Sequence, residues 1–365
     1  MIKNMLLKVV MITIPLCSFG GNDLSLEKKI GQMLMVGFHG TSAMENSQIC
    51  RDIKTYNIGS VILFDYNPVN KNRPKNIETK KQLKNLTAQL QACSQDKKLL
   101  IAVDQEGGKV QRLKSKYGFY GKFPKASDVV KMDQSKIKST YTQMSRELKS
   151  VGINYDLAPV VDLDINSKNH VIHGLGRSFG KDPKMVAKYA STFIDAMHSH
   201  GVLTSLKHFP GHGSSVGDTH KGFVDVTHLW KEVELEPYRL LKDNVDTVMV
   251  AHVFNKNLDP VYPASLSYKT VTKLLRWELG YHGVVITDDL QMGAIAKKYG
   301  LKNTLKLSIN AGNDILLIGN QMDPKKIVST KKLVDTIVSL VKRGEVKEED
   351  IDKAFKRIQV LKQKL

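Results

Sequence analysis

Residues 284–290 read Val-Val-Ile-Thr-Asp-Asp-Leu, an apolar, β-branched run that ends in two acids. A run without polar alternation offers no face to water, so a strand built from it must be covered on both sides. Runs of the same kind recur at 32–38, 60–64, 99–104, 154–164, 203–209, 247–253 and 314–318. Amphipathic stretches separate them. One places Ile137, Tyr141, Met144, Leu148 and Val151 on a single helical face, at spacings of three and four. Another opens on Asp182-Pro183, a capping acid before a proline at the first helical position, and is expected to turn Met185, Tyr189, Phe193 and Ala196 inward. The last, over 325–342, would bury Ile327, Val334, Ile337 and Val341. Eight strand–helix units predict a single-domain (β/α)8 barrel of the TIM type, without a second sandwich domain. A doubly wound sheet would want a G-x-G-x-x-G first turn, and the chain has none.

The 365 residues are 41% hydrophobic and 25% charged, which excludes wholesale disorder. Three cysteines exclude a disulfide mini-protein and a four-cysteine zinc site. The net charge of +19 admits nucleic acid, an anionic membrane or an acidic polymer as partners. The lysines are scattered, with no basic tract interleaved with aromatics, so nucleic acid is not the expected partner. At the N-terminus, Lys3 and Lys8 precede the apolar residues 9–16 and then Ser18 and Gly20. Residues 1–20 therefore read as a signal peptide, with a mature domain over 21–365 exported to the periplasm or beyond. The apolar run is too short for a stable span. Cys17 raises lipid attachment as another fate, although Leu16 is poorly suited to it, and cytoplasmic residence is the alternative localisation. Cys50 and Cys93 would remain, and an oxidising compartment would permit a bridge between them.

Active sites of such barrels lie at the C-terminal strand ends. There the third run closes on Asp104 and Glu106, with Arg112 beyond, and the fourth on Asp162 and Asp164, with Arg177 beyond. The fifth closes on Lys207-His208, followed by His212, Asp218 and His220; the sixth carries His252, and the seventh Asp288-Asp289. Irregular histidine spacing and the missing H-x-H on the first strand speak against a metal, and no serine at a tight strand–helix turn supports acyl transfer. Glycosyl transfer needs a carboxylate beside an anomeric carbon and a proton donor opposite, which a strand-end aspartate and a loop histidine satisfy.

The segment KHFPGHG at 207–213, then Asp218-Thr219-His220, resembles the signature of glycoside hydrolase family 3 β-N-acetylglucosaminidases of the bacterial peptidoglycan-recycling type. VDQEGG at 103–108 with Arg112, RSFG at 177–180 with Asp182-Pro183, PASLS at 263–267 and TDDLQM at 287–292 follow the family's pattern and order. The resemblance implies Asp288 as nucleophile, His220 as acid/base and Asp218 as its partner. It implies Asp104, Arg112, Arg177, Lys207 and His208 as holders of a terminal N-acetylglucosamine, with Asp162 supporting Lys207 or His208. Asp289 suits a helix cap better than a nucleophile. Ser214-Ser215 departs from the Asp-Thr of many relatives. The implied enzyme is a monomeric, retaining exo-β-N-acetylglucosaminidase acting on muropeptides or chito-oligosaccharides, with no metal or organic cofactor. Relatives acting on glucosides draw their acid/base from a second domain; a single barrel must supply its own. A β-GlcNAc phosphorylase and a non-catalytic, basic cell-wall glycan-binding protein are the alternatives.

Overall fold

The computed structural model describes residues 24–70, 72–321 and 327–365. The expected signal segment 1–20, with Cys17, lies outside the described residues. Eight strands form one all-parallel sheet: β1 Leu34–Gly37, β2 Ser60–Ile62, β3 Leu100–Val103, β4 Tyr155–Asp156, β5 Leu203–Phe209, β6 Thr247–Val250, β7 Val284–Thr287 and β8 Leu316–Ile318. Their spatial order is β7-β6-β5-β4-β3-β2-β1-β8, so every chain neighbour is a sheet neighbour. β8 meets β7 through a parallel bridge at Ile286–Ile315, where Thr287 N–H donates to the Ile315 carbonyl at 3.0 Å. The sheet is thereby rolled into a nearly closed barrel, and each crossover carries its helix to the outside.

Every residue of every strand is buried, as an unalternating apolar run requires. Regular pairing is shortest at β4. The expected run over 154–164 is broken by Pro159, which has no N–H to donate to the ladder. Pairing resumes beyond it, with Val161 N–H donating to the Lys207 carbonyl at 2.9 Å, and this irregular extension delivers Asp162 to the rim. The opposite rim is tied by ions: Asp246 accepts from His198 at 2.6 Å and Lys364 at 2.7 Å, and Asp314 from Arg276 at 2.7 Å.

The helix Gln134–Ser150 buries Ile137, Tyr141, Met144 and Leu148 as its spacing predicts, and Val151 is buried just past its end. The helix Pro183–His198 is capped by Asp182, which accepts from the N–H of Lys184 and Met185. Of the expected inward residues Phe193 and Ala196 are buried, Tyr189 is half-buried and Met185 is exposed, while Val186, Ala190 and Met197 complete the buried face. The last such helix begins at Thr330 behind the cap Ser329, so Ile327 precedes it and is exposed.

Cys50 and Cys93 form a disulfide with Cα atoms 5.3 Å apart, joining the helix Gln48–Tyr56 to the helix Lys80–Cys93. The bridge closes 43 residues of chain. By loop-closure entropy that stabilises the fold by about 4 kcal/mol. The Cys50→Ser, Cys93→Ser double variant is expected to melt about 5 °C lower, at roughly 2.1 cal/mol/K of unfolding entropy per residue. An unchanged melting temperature in calorimetry would show that the bridge contributes nothing.

Candidate active site

The C-terminal rim surrounds a cleft of about 620 Å³, with Asp104, Arg112, Arg177, Lys207, His208, Asp218, His220 and Asp288 in its lining. Its floor is a network of opposite charges contributed by β3, β5 and the loops that follow. Lys207, buried at the end of β5, donates to Asp104 at 3.0 Å and reaches Glu106 at 2.7 Å. Arg112 donates to the other oxygen of Asp104 at 3.0 Å, and its second nitrogen stands 3.8 Å from Asp65. Arg177 grips Glu106 with two parallel bonds of 2.7 and 2.8 Å, the fork geometry of a planar guanidinium.

Burial alone would raise the carboxyls of this floor. For Asp104, Lys207 and Arg112 outweigh burial and hold it far below the usual carboxylate range. For Glu106, Arg177 and Lys207 do the same and bring it down to about 2. Both are therefore ionised and locked. Each Asp104 oxygen keeps a lone pair beyond the one its cation takes, which leaves acceptors for sugar hydroxyls, whereas Glu106 Oε1 is filled by both Arg177 and Lys207.

His208 is oriented by Asp162, which takes its Nδ1 at 2.6 Å and its backbone N–H at 3.2 Å. An acceptor at Nδ1 puts the proton there and leaves Nε2 facing Arg177 at 3.3 Å. Asp162 also accepts the His212 N–H at 2.8 Å and lies beneath the cleft rather than on it. It therefore serves His208, and not Lys207, of the two partners the sequence left open. From the other side Glu234 accepts the N–H groups of Gly213 at 3.0 Å and Ser214 at 3.3 Å. Burial pushes that carboxyl up to about 7, against the opposing bond from Ser214.

Asp288 stands just past β7. Its Oδ1 accepts the Asp289 N–H at 2.8 Å, and among the described residues no Lys or Arg is paired with it. Burial would raise it, but the facing His252, His208 and His220, with the Asp289 N–H, hold it below the ordinary carboxylate value. It is an ionised carboxylate in the pocket, without the cation bonds that lock Asp104 and Glu106. Asp289, which also lines the cleft, caps the turn, its Oδ1 accepting from Gln291 N–H at 3.0 Å and Gly319 N–H at 3.2 Å. His252 is spent on structure, bonded to the Ser265 hydroxyl at 2.7 Å and the Asp289 carbonyl at 2.9 Å.

The loop that leaves β5 carries the remaining pair. Asp218 accepts both the His220 backbone N–H at 3.0 Å and its Nδ1 at 2.9 Å. A carboxylate only accepts, so Nδ1 carries the proton and Nε2 is the free, exchangeable position. His220 is half exposed, 52% of its side chain, at the edge of the same cleft as Asp288. Such a cleft has a fixed carboxylate at the base, an imidazole at the rim and a polar floor. That arrangement suits displacement at a sugar carbon with proton transfer to the leaving oxygen.

All nine residues singled out in the sequence converge here, eight on the cleft and Asp162 below it. Asp65 and Glu234 were missed, and Glu106, noted at its strand end, was given no role. Glu106 stood inside a recognised motif, and three cations facing one aspartate were the signal that a second acid must balance them. Asp164, the other acid at that strand end, pairs with His173 at 2.7 Å out at the rim. Among the described residues no group of three or more His, Cys, Asp and Glu side chains is arranged to hold a metal ion.

A family model described as the glycosyl hydrolase family 3 N terminal domain matches residues 25–361. Beta-hexosaminidase A of Pseudoalteromonas piscicida is 31% identical over 388 residues, which covers 94% of this chain and 62% of that protein. A glycoside hydrolase family 3 beta-N-acetylglucosaminidase from Paenibacillus sp. str. FPU-7 has a solved structure that aligns with a TM-score of 0.82 at 33% identity, over 93% of this chain and 62% of that one. Beta-N-acetylhexosaminidase from Beutenbergia cavernae DSM 12333 aligns with a TM-score of 0.82 at 29% identity, over 93% of this chain and 99% of that one. The chain thus spans less than two thirds of the first two proteins and nearly all of the third.

Proposed function

The chain belongs to glycosyl hydrolase family 3, and from that premise we propose that it is a retaining exo-β-N-acetylglucosaminidase. The observation that carries this reading is an unpaired Asp288 carboxylate sharing one cleft with an Asp218-oriented His220. The floor built from Asp104, Arg112, Lys207, Arg177 and His208 supplies donors and acceptors for the hydroxyls of a single terminal sugar.

In the first step an Asp288 oxygen attacks the anomeric carbon as the C1–O bond to the leaving group breaks. His220 passes its Nε2 proton to the departing oxygen, and Asp218 stabilises the imidazole that remains by holding Nδ1–H. In the second step the neutral Nε2 takes a proton from water, and the resulting hydroxide oxygen bonds to C1 as the Asp288 ester breaks. Two inversions give net retention. The usual second carboxylic acid would need a raised pKa for this work; imidazole titrates near neutrality unaided.

Muropeptides carrying terminal β-GlcNAc are the proposed substrates, released in an oxidising compartment outside the cytoplasm. The N-terminal pattern of residues 1–20 and the Cys50–Cys93 bridge support that location. A basic exterior would favour approach to anionic wall fragments. Proton NMR of GlcNAc-anhydromuramyl peptide and of chitobiose digested in phosphate buffer tests the reading. The β anomer of free GlcNAc should appear first, with the higher kcat/KM on the muropeptide. First appearance of the α anomer, or of GlcNAc-1-phosphate, would overturn the hydrolytic retaining mechanism, and preference for chitobiose would overturn the substrate.

A further inference from the structure

We propose that Gly293 is a positioning residue for the acid/base: it is the seat on which the His220 loop docks against the segment that carries Asp288. This rests on the roles proposed above for Asp288 and His220. The helix Gly293–Ala311 starts immediately after the turn that follows the nucleophile. Its Gly293 N–H donates to the His220 carbonyl at 3.3 Å and its Ala294 N–H to the Thr219 carbonyl at 3.2 Å. One turn on, Lys297 Nζ donates to the Lys221 carbonyl at 3.3 Å.

A helix leaves its first N–H groups without internal partners, and its N-terminus carries a partial positive charge. Here the residue before the helix, Met292, offers no side-chain cap. The carbonyls of the catalytic loop take that place. Among the described residues, the loop's other hydrogen bonds at 218–222 are internal, from His220, Lys221 and Gly222 back to Asp218. The helix end is therefore what ties the imidazole to the rest of the site.

The identity of residue 293 follows from contact. It sits at the start of a helix with no positive φ, so conformation does not call for glycine. Within a helix glycine is less favourable than alanine, so helix formation does not call for it either. A Cβ at this position would lie 2.9 Å from the His220 carbonyl oxygen and 3.0 Å from the carbonyl carbon and oxygen of Lys221. Any side chain must push the loop away. Met292 N–H, in turn, is bonded to the Asp289 carbonyl at 2.9 Å, so the seat and the nucleophile share one short, tied turn.

Two variants probe the seat differently. Gly293→Ala adds the obstructing Cβ. Gly293→Pro also deletes the donor, at the first helical position, where proline is accepted and where Met292 is already extended at ψ 148°. Each is assayed for kcat/KM on a GlcNAc disaccharide, whose leaving group needs a proton, and on the 2,4-dinitrophenyl β-GlcNAc glycoside, whose leaving group does not. With melting temperatures near wild type, the disaccharide is expected to fall about tenfold or more and the activated glycoside less than about threefold, as for a displaced general acid. Equal falls on both substrates, or no fall on either, in whichever variant folds, would overturn the seat. Wild-type enzyme inert towards both would instead overturn the proposed function from which the seat is argued.

Discussion

Asp288→Ala is expected to lower kcat/KM on any β-GlcNAc substrate by roughly 10⁴-fold or more, the scale seen when an enzyme loses its nucleophile. The fold should hardly notice. Asp288 accepts one local N–H, from Asp289, and among the described residues anchors no ion pair, so the melting temperature should stay near wild type. The shortened side chain also leaves a gap on the face opposite the leaving group. Azide entering that gap attacks C1 once, with an activated leaving group departing, and should yield the α-glycosyl azide with partial recovery of rate. Undiminished turnover in the variant would assign the nucleophile elsewhere. The competing candidate is the substrate's own acetamido oxygen, as in substrate-assisted glycosidases. Asp289 is the weaker rival, because its Oδ1 is held by the N–H groups of Gln291 and Gly319.

His220→Ala should produce the second-largest loss, and a selective one. General acid–base catalysis contributes about 10²–10⁴-fold, and that is the expected fall in kcat/KM on a sugar leaving group. On 2,4-dinitrophenyl β-GlcNAc the departing phenolate needs no proton, so kcat/KM should fall far less. With that substrate kcat should still collapse, because His220 is also the proposed base that activates water in the second step. Added azide, which needs no base, should restore kcat and form the β-glycosyl azide. Opposite anomers of glycosyl azide from the Asp288 and His220 variants would separate the two roles on one scaffold. Equal losses on both substrates would remove His220 as the acid. Asp218→Asn should follow the same pattern more weakly, since its part is to hold Nδ1–H at 2.9 Å.

Much of the barrel was legible because parallel strands buried on both faces leave unalternating runs such as 284–290, and all eight runs contain a strand. The failures sit at the edges. Pro159 cut β4 to two residues, and the helical faces around Met185 and Ile327 were read one element-end too generously. A boundary is set by caps and close contacts that periodicity does not encode.

The site divided in a similar way. Asp288, His220 and the cationic floor were visible as polar residues at successive strand ends, and the ordered motifs assigned them roles. Glu106 was harder: its partners Arg177 and Lys207 lie far along the chain, and only the charge balance of a buried cluster calls for it. Glu234 and Gly293 left no pattern at all. Glu234 is a short-helix acid that reaches across to two loop N–H groups, and Gly293 matters through an atom it lacks.

The central claim is a covalent bond between Asp288 and the sugar. Its most direct test is mass spectrometry of the intact enzyme mixed with a 5-fluoro β-GlcNAc donor bearing an activated leaving group, which slows release of the glycosyl-enzyme. The predicted result is a stoichiometric increase by the mass of one fluorinated sugar residue. Proteolysis should map it to Asp288 within residues 287–292, and the adduct should be absent from Asp288→Ala. Leaving group released without any adduct, or an adduct on another residue, would contradict the account.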